Sequence, residues 1–238
     1  MDHSLQQIEL SSALSAMLVD SMGDENSILR AMLVSTDKDN LVGRHPKKSR
    51  GRLKFLIENR HGSPFEHATL TFSVHCPIFV SREWMRHRVQ SFNEQSGRYV
   101  EYEPKFYWPE HRPLVQEGKP GKYQFVEGSR YQSDYTLLAF HSSCQTAWDH
   151  YRGMLDQGIA KEVARMVLPV TTYTSFYATA NLRNWLHFLS LRTTDDRASV
   201  PSYPLWEIDQ LAAQVEGALV DEFPLTMELW NENGRVPV

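Results

Sequence analysis

From Ala68 to His75 apolar and polar positions alternate without a break: Ala68, Leu70, Phe72 and Val74 against Thr69, Thr71, Ser73 and His75. A two-residue period puts one set on each face of a strand, so the segment reads as half-buried β-structure that Pro77 ends. Elsewhere the period is helical. Ile28, Leu29, Met32 and Leu33 recur at three-to-four spacing after the turn signal Gly23-Asp24, which predicts a helix over 27–34. A second helix is expected over 49–60, stopped by Gly62, and a third over 78–87, where Phe79, Val80, Trp84 and Met85 do not alternate. The polar and aromatic stretch 89–107 contains Gly97 and Pro104 and reads as loop and short strand. Gly118, Pro120, Gly121 and Gly128 make 113–128 the segment richest in breakers, read as a loop of insertion type.

From Ser129 no proline or glycine interrupts the pattern until Gly153, and Tyr131, Tyr135, Leu138, Trp148 and Tyr151 mark 129–155 as the longest predicted helix. A short helix at 161–168 stops before Pro169, where chain sterics disfavour the helical conformation. Thr, Tyr and Phe residues over 171–179 predict a strand. Asn181 suits the N-cap of a helix over 182–191, and a last long helix is expected over 205–223. The result is an α+β chain: a small, mostly antiparallel sheet and several long helices in one domain, 1–238.

Composition narrows the function classes. With 238 residues, 41% apolar and 11% aromatic, the chain can bury an ordinary core. A formal net charge of -4 does not suit a DNA-coating or membrane-surface protein, so any anion site has to be local. No apolar run reaches the roughly 18 residues of a membrane span, and the start lacks the pattern of a secretory signal, so a cytoplasmic protein is expected. Cys76 and Cys144 cannot build a disulfide framework, and no CxxC, HxxxH or HExxH spacing offers a metal site.

The densest chemistry lies in Arg86-His87-Arg88, followed directly by Val89-Gln90-Ser91-Phe92-Asn93-Glu94-Gln95-Ser96-Gly97-Arg98-Tyr99. A solvated helix end explains some of these charges, because cations gain from the helix dipole there. Yet almost nothing from Arg86 to Arg98 would build a core, and this density of donors suits phosphate oxygens, which take forked hydrogen bonds from arginine. A second basic cluster comprises Arg165, Asn181, Arg183, His187 and Arg192. Arg183 and His187 are four apart and share a helix face; taken alone they read as surface positions, and Arg192 as a charge at a helix end.

The span Arg86 to Arg98 resembles the signature RHRxxSxNxxSxR of the flavin-dependent thymidylate synthases, with Arg86, His87, Arg88, Ser91, Asn93, Ser96 and Arg98 at every fixed position. His61 to His67 is similar to that family's H-x-[ST]-x-x-E-H segment. Glu162 to Pro169 resembles its E-x-A-R-x-x-L-P, and Asn181 to Arg192 its N-x-R...F-x-x-L-R helix. The resemblance implies an enzyme that methylates dUMP to dTMP with FAD, taking the carbon from 5,10-methylenetetrahydrofolate and electrons from NADPH, without a cysteine nucleophile. It also implies a homotetramer with shared active sites. Ser63, Arg86, His87, Arg88, Glu94, Asn181, Arg183 and His187 fall at positions that contact FAD. Glu83, Arg86, Glu94, Gln95, Ser96, Gly97, Arg98, Arg165 and Arg192 fall at dUMP positions, and Arg192 at the one that polarises the uracil.

Glu83 stands where relatives often carry glutamine, and Leu33 where many carry arginine. His187 stands at a site that holds histidine or asparagine. Cys76 and Cys144 have no neighbouring cluster in the sequence that lowers a thiol pKa, and both read as small core residues. Two other readings compete with methylation. One is hydroxymethylation of a pyrimidine nucleotide on the same sites. The other is a non-catalytic nucleotide- or RNA-binding module that uses Trp84, Phe92 and Tyr99 as stacking platforms; the acidic balance and the second cluster argue against it, and no nucleic-acid partner is expected.

Overall fold

The computed structural model describes residues 6–35, 46–119 and 122–238. In chain order the elements are strands β1 (Glu9–Ser11) and β2 (Ser15–Met22), helices α1 (Glu25–Val34) and α2 (Pro46–Glu58), strand β3 (Thr69–Pro77) and helix α3 (Ile78–Trp84). Strands β4 (Ser91–Glu94), β5 (Lys105–Tyr107), β6 (Val115–Lys119) and β7 (Lys122–Val126) follow, then helices α4 (Arg130–Asp156) and α5 (Lys161–Ala164). Strand β8 (Tyr173–Asn181) leads into α6 (Leu182–Arg192), α7 (Trp206–Glu222) and α8 (Pro224–Glu232). Small sheets and long helices make this an α+β protein.

The described residues fall into two compact units that interleave along the chain. One draws on the described residues within Met1–Ala13, Cys76–Ser81 and Glu94–Thr174, the other on those within Leu14–His75, Arg82–Asn93 and Ser175–Val238.

The first unit is built around α4. Ser129 caps it: its hydroxyl accepts from the Gln132 amide at 3.3 Å, while the Gln132 side chain accepts from the Ser129 amide at 2.8 Å, so two otherwise orphaned donors are satisfied reciprocally. Cys144, Trp148 and Tyr151 recur on one face of α4 and pack with Phe106 and Ala164 as a small core. The outer positions Tyr131, Tyr135 and Leu138 remain exposed. β1 pairs with β5 in parallel. The expected loop at 113–128 is instead a hairpin, in which β6 pairs antiparallel with β7 from Val115↔Val126 to Lys119↔Lys122. Its glycines misled the pattern reading: Gly118 lies inside β6 at a φ of 95°, a backbone state glycine adopts without strain. Pro120 and Gly121, counted among the breakers, lie outside the described residues.

Most residues of the four-stranded sheet, in the order β2-β3-β8-β4, belong to the second unit. β3 realises the alternation of the sequence, with Leu70, Phe72 and Val74 fully buried. Thr71 bonds Thr179 at 2.9 Å and His75 bonds Ser175 at 2.9 Å, so numbers rise along β3 as they fall along β8, which makes the pair antiparallel. The edge strand β2 was not anticipated. It carries a bulge between Leu18 and Asp20 and buries only Ala16 fully, so it has no clean period to read. Helix α8 was also missed, because Pro224 reads as a stop although proline suits a first helical position. Against the buried sheet face, Trp185 meets Phe72 at 4.9 Å and Trp84 meets Phe188 at 4.6 Å. Such ring pairs add about 0.5–1.5 kcal/mol each beyond the area they bury.

Candidate functional site

In the second unit, α3 ends at the buried Trp84, three residues short of the expected helix. The amides of Arg86 and His87 donate to the carbonyls of Glu83 and Trp84 at 3.2 and 3.0 Å, closing tight turns. These turns sort the three basic residues. His87 goes inward, only 6% exposed, with its ring 4.8 Å from that of Phe188. Arg86 and Arg88 go outward and, among the described residues, their guanidinium groups have no acceptor. Cationic forks left unpaired on adjacent turns fit the phosphate oxygens of a dinucleotide such as FAD.

Helix α6 and its N-cap bring Asn181, Arg183, His187 and Arg192 of the second basic cluster to the same unit. Asn181 caps it as expected, accepting from the Asn184 amide at 3.0 Å. Arg183 and His187 both lie on its exposed side. Arg183 donates to Glu66 at 2.6 Å and to the Val238 carbonyl at 3.0 Å. Gly62 is needed beside it, since a Cβ there would come within 2.5 Å of Arg183 Nε. Glu66 was quoted in the sequence motif without a role; its distance along the chain from Arg183 hides the pairing. Ser63 opens the short 3-10 turn Ser63–His67 and is exposed.

At the far end of α6, Arg192 joins His87 of the other cluster and Glu83 of α3. Its Nη1 donates to Glu83 Oε1 at 2.6 Å and its Nε donates to His87 Nε2 at 3.0 Å. A ring nitrogen that accepts from a guanidinium must be unprotonated. Burial first, then the charges of Arg192 and His187, lower His87 to about 4, which keeps that acceptor available at neutral pH. Arg192 is half-buried, and its Nη2 has no partner among the described residues. Arg192 also lines a cavity of about 510 Å³ with Val200, Tyr203 and Val236.

The first unit holds the rest of the signature. Glu94 accepts from the Thr174 hydroxyl at 2.7 Å. The Ser96 carbonyl receives the amides of Tyr99 and Val100, which folds the loop over Gln95, Ser96 and Gly97. Gly97 is buried against Tyr102, whose ring a Cβ would strike. Arg98 pairs with Glu162 at 3.1 Å on the surface, where an ion pair adds little stability. Arg165 sits in the 3-10 turn Arg165–Val167 that replaces the end of the expected 161–168 helix, and lines a cavity of about 210 Å³ with Tyr102, Leu168 and Thr172. Tyr102 was missed by the sequence reading because nothing local ties it to Gly97.

Both cysteines are free thiols and buried. Burial, with the Glu94 charge a lesser cause, drives the Cys76 thiol far up, and burial also raises Cys144. Among the described residues no group of His, Cys, Asp and Glu is placed to hold a metal ion. No helix there is long and apolar enough to cross a membrane.

Unpaired arginines beside a buried aromatic cluster offer chemistry suited to phosphorylated, planar ligands. Comparison with known proteins makes this specific. The family model described as thymidylate synthase complementing protein matches residues 17–225. The flavin-dependent thymidylate synthase of Streptomyces coelicolor is 46% identical over 235 residues, covering 97% of this chain and 96% of that protein. That of Streptomyces avermitilis is 47% identical over 224 residues, covering 92% and 91%. A crystal structure of PolB, a UMP/dUMP methylase from Streptomyces cacaoi bound with 5-Br UMP, superposes with a TM-score of 0.90 at 43% identity, covering 98% of this chain and all of that one. The chain belongs to the flavin-dependent thymidylate synthase family and is an enzyme.

Proposed function

We propose that this enzyme methylates dUMP to dTMP reductively, with bound FAD, 5,10-methylenetetrahydrofolate as carbon donor and NADPH as reductant, and without a cysteine nucleophile. The observation that carries the reading is the restrained guanidinium of Arg192, fixed at Nε and Nη1 and unengaged at Nη2. Arg192 stabilises negative charge on the uracil and favours ionisation at N3, which raises electron density at C5 for attack on the methylene carbon of the folate. A preorganised guanidinium does this without reorganising during the reaction. Bound FAD supplies, once reduced, the hydride that completes the methyl group.

The remaining residues bind and orient. Arg86 and Arg88, with Ser63, His87, Glu94, Asn181, Arg183 and His187, hold FAD; the unpaired forks of Arg86 and Arg88 support the assignment of its phosphates. Arg165, Arg86, Arg98 and the loop Gln95-Ser96-Gly97 hold dUMP with Glu94, and Glu83 lies at the uracil end with Arg192. The buried thiols support a mechanism that needs neither cysteine. The exposed Tyr131, Tyr135 and Leu138 on α4 support a homotetramer, since such apolar side chains gain by being covered. The enzyme is assigned to the cytoplasm.

Product analysis after incubation with dUMP, methylenetetrahydrofolate, NADPH and FAD tests the reading. dTMP is expected, whereas 5-hydroxymethyl-dUMP would establish hydroxymethylation instead. The Cys76→Ala, Cys144→Ser double variant is expected to form dTMP in the same assay, although truncation inside two cores costs about 1–3 kcal/mol of stability. Complete loss of product from a double variant that is folded and yellow would point to a thiolate mechanism.

A further inference from the structure

Arg192 is one of several arginines in the chain assigned to an anionic ligand, yet it has a carboxylate bonded to it at 2.6 Å. That contact is not a loose surface pair: the side chains of Arg192 and Glu83 are 19% and 26% exposed. The groups bonded to the guanidinium are Glu83 on α3 and His87 in the turn after it; behind His87, the His187 ring of α6 lies 6.2 Å from the His87 ring. Arg235 lines the same cavity but is committed to Glu216 through both terminal nitrogens, at 2.6 and 2.7 Å. Glu83 is therefore the one acidic partner of Arg192 among the described residues.

Each acceptor fixes a different corner of the guanidinium plane. His87 takes Nε and Glu83 takes Nη1, which leaves Nη2 without an acceptor among the described residues and sets the rotation of the plane. The two acceptors differ in charge. His87 contributes only a lone pair, whereas Glu83 contributes a full negative charge that offsets part of the positive charge Arg192 offers a ligand.

We propose that Glu83 is a positioning residue that acts on the nucleotide through Arg192: it orients the guanidinium and, by its charge, restrains how readily the bound pyrimidine ionises at N3. The proposal rests on the reading of Arg192 as the residue that polarises the uracil. Glu83→Gln separates the two effects, because an amide oxygen still accepts from Nη1 while the negative charge is gone. Glu83→Ala removes both.

The test uses the flavin-loaded enzyme without folate and 5-fluoro-dUMP as probe, whose fluorine resonance moves when N3 loses its proton. The pH midpoint of that movement is measured for the bound nucleotide in wild type and both variants. In Glu83→Gln the midpoint is expected to fall by on the order of one pH unit, a tenfold change in the ionisation constant. In Glu83→Ala it is expected to lie above that of Glu83→Gln, with kcat reduced and the KM for dUMP nearly unchanged, since the phosphate contacts are elsewhere. Flavin absorbance and melting temperature close to wild type establish that both variants are folded; a residue that merely supports the fold would move these and leave the midpoint alone. A midpoint in Glu83→Gln equal to or above that of wild type would overturn the proposal while leaving the nucleotide site intact. If wild type causes no change in the fluorine resonance at all, the nucleotide reading itself fails and takes this proposal with it.

Discussion

Arg192→Ala is expected to keep its flavin and its fold and to lose methyl transfer by on the order of a hundredfold or more, as removal of a preorganised charge-stabilising donor does elsewhere. The competing account makes Arg192 a charge at the end of α6, worth roughly 0.3–1 kcal/mol of stability and nothing to catalysis. The geometry favours the first, because a dipole-stabilising arginine needs no fixed orientation, and this one is held by both Glu83 and His87. Arg192→Lys should rescue poorly: one ammonium on a flexible stem cannot occupy two acceptors set for a planar fork and still face a ligand. The relevant rate is dTMP formed per flavin in single turnover, with dUMP affinity measured separately so that binding and chemistry are not confused. Reduced flavin should still react with oxygen in these variants, since that reaction does not require C5. Near-normal turnover in Arg192→Ala would leave the activation of dUMP without an assigned group.

Trp84→Ala should have the largest effect on stability, about 3–5 kcal/mol. The indole is fully buried and makes ring contacts with Phe176, Trp185 and Phe188. Its Nε1 donates to Gln90 Oε1 at 2.9 Å, and Gln90 Nε2 is already buried without a partner, so truncation would leave both ends of that amide unsatisfied. The loss should reach the site, because the indole ties down Gln90, two residues beyond Arg88, and so holds the far side of the turn that carries Arg86 to Arg88. FAD affinity is expected to fall at least about tenfold along with the urea midpoint, while Trp84→Phe retains most of both. A destabilisation below about 1 kcal/mol would mean that the aromatic cluster does not support the turn.

What the sequence made legible was local. The alternation in β3, the Asn181 cap and the uninterrupted start of α4 each depend on neighbours within a few residues, and each is realised in the structure. The strands β1 and β2 left no trace, since the first has three residues and the second is a bulged edge with little to bury. The site divides in the same way. The signature from Arg86 to Arg98 is contiguous and could be recognised, but which of its members face inward depends on the turns after α3. Glu83 and Arg192 are 109 positions apart and Glu66 and Arg183 are 117 apart, and no periodicity reports an ion pair between such distant residues. The resemblance placed Glu83 beside the nucleotide; that it bonds Arg192 became visible only with the fold.

The central claim, that a flavin and an arginine take the place of a nucleophilic cysteine in making dTMP, is tested most directly by one single-turnover experiment. Purified protein is incubated with FAD, freed of excess and its flavin counted by absorbance. The flavin is then reduced without oxygen and mixed with dUMP and methylenetetrahydrofolate. The account expects about one flavin per chain, and dTMP appearing as the reduced flavin is oxidised, in amount equal to the flavin consumed. A protein that takes up no flavin, or one whose reduced flavin stays reduced while no dTMP forms, would contradict it.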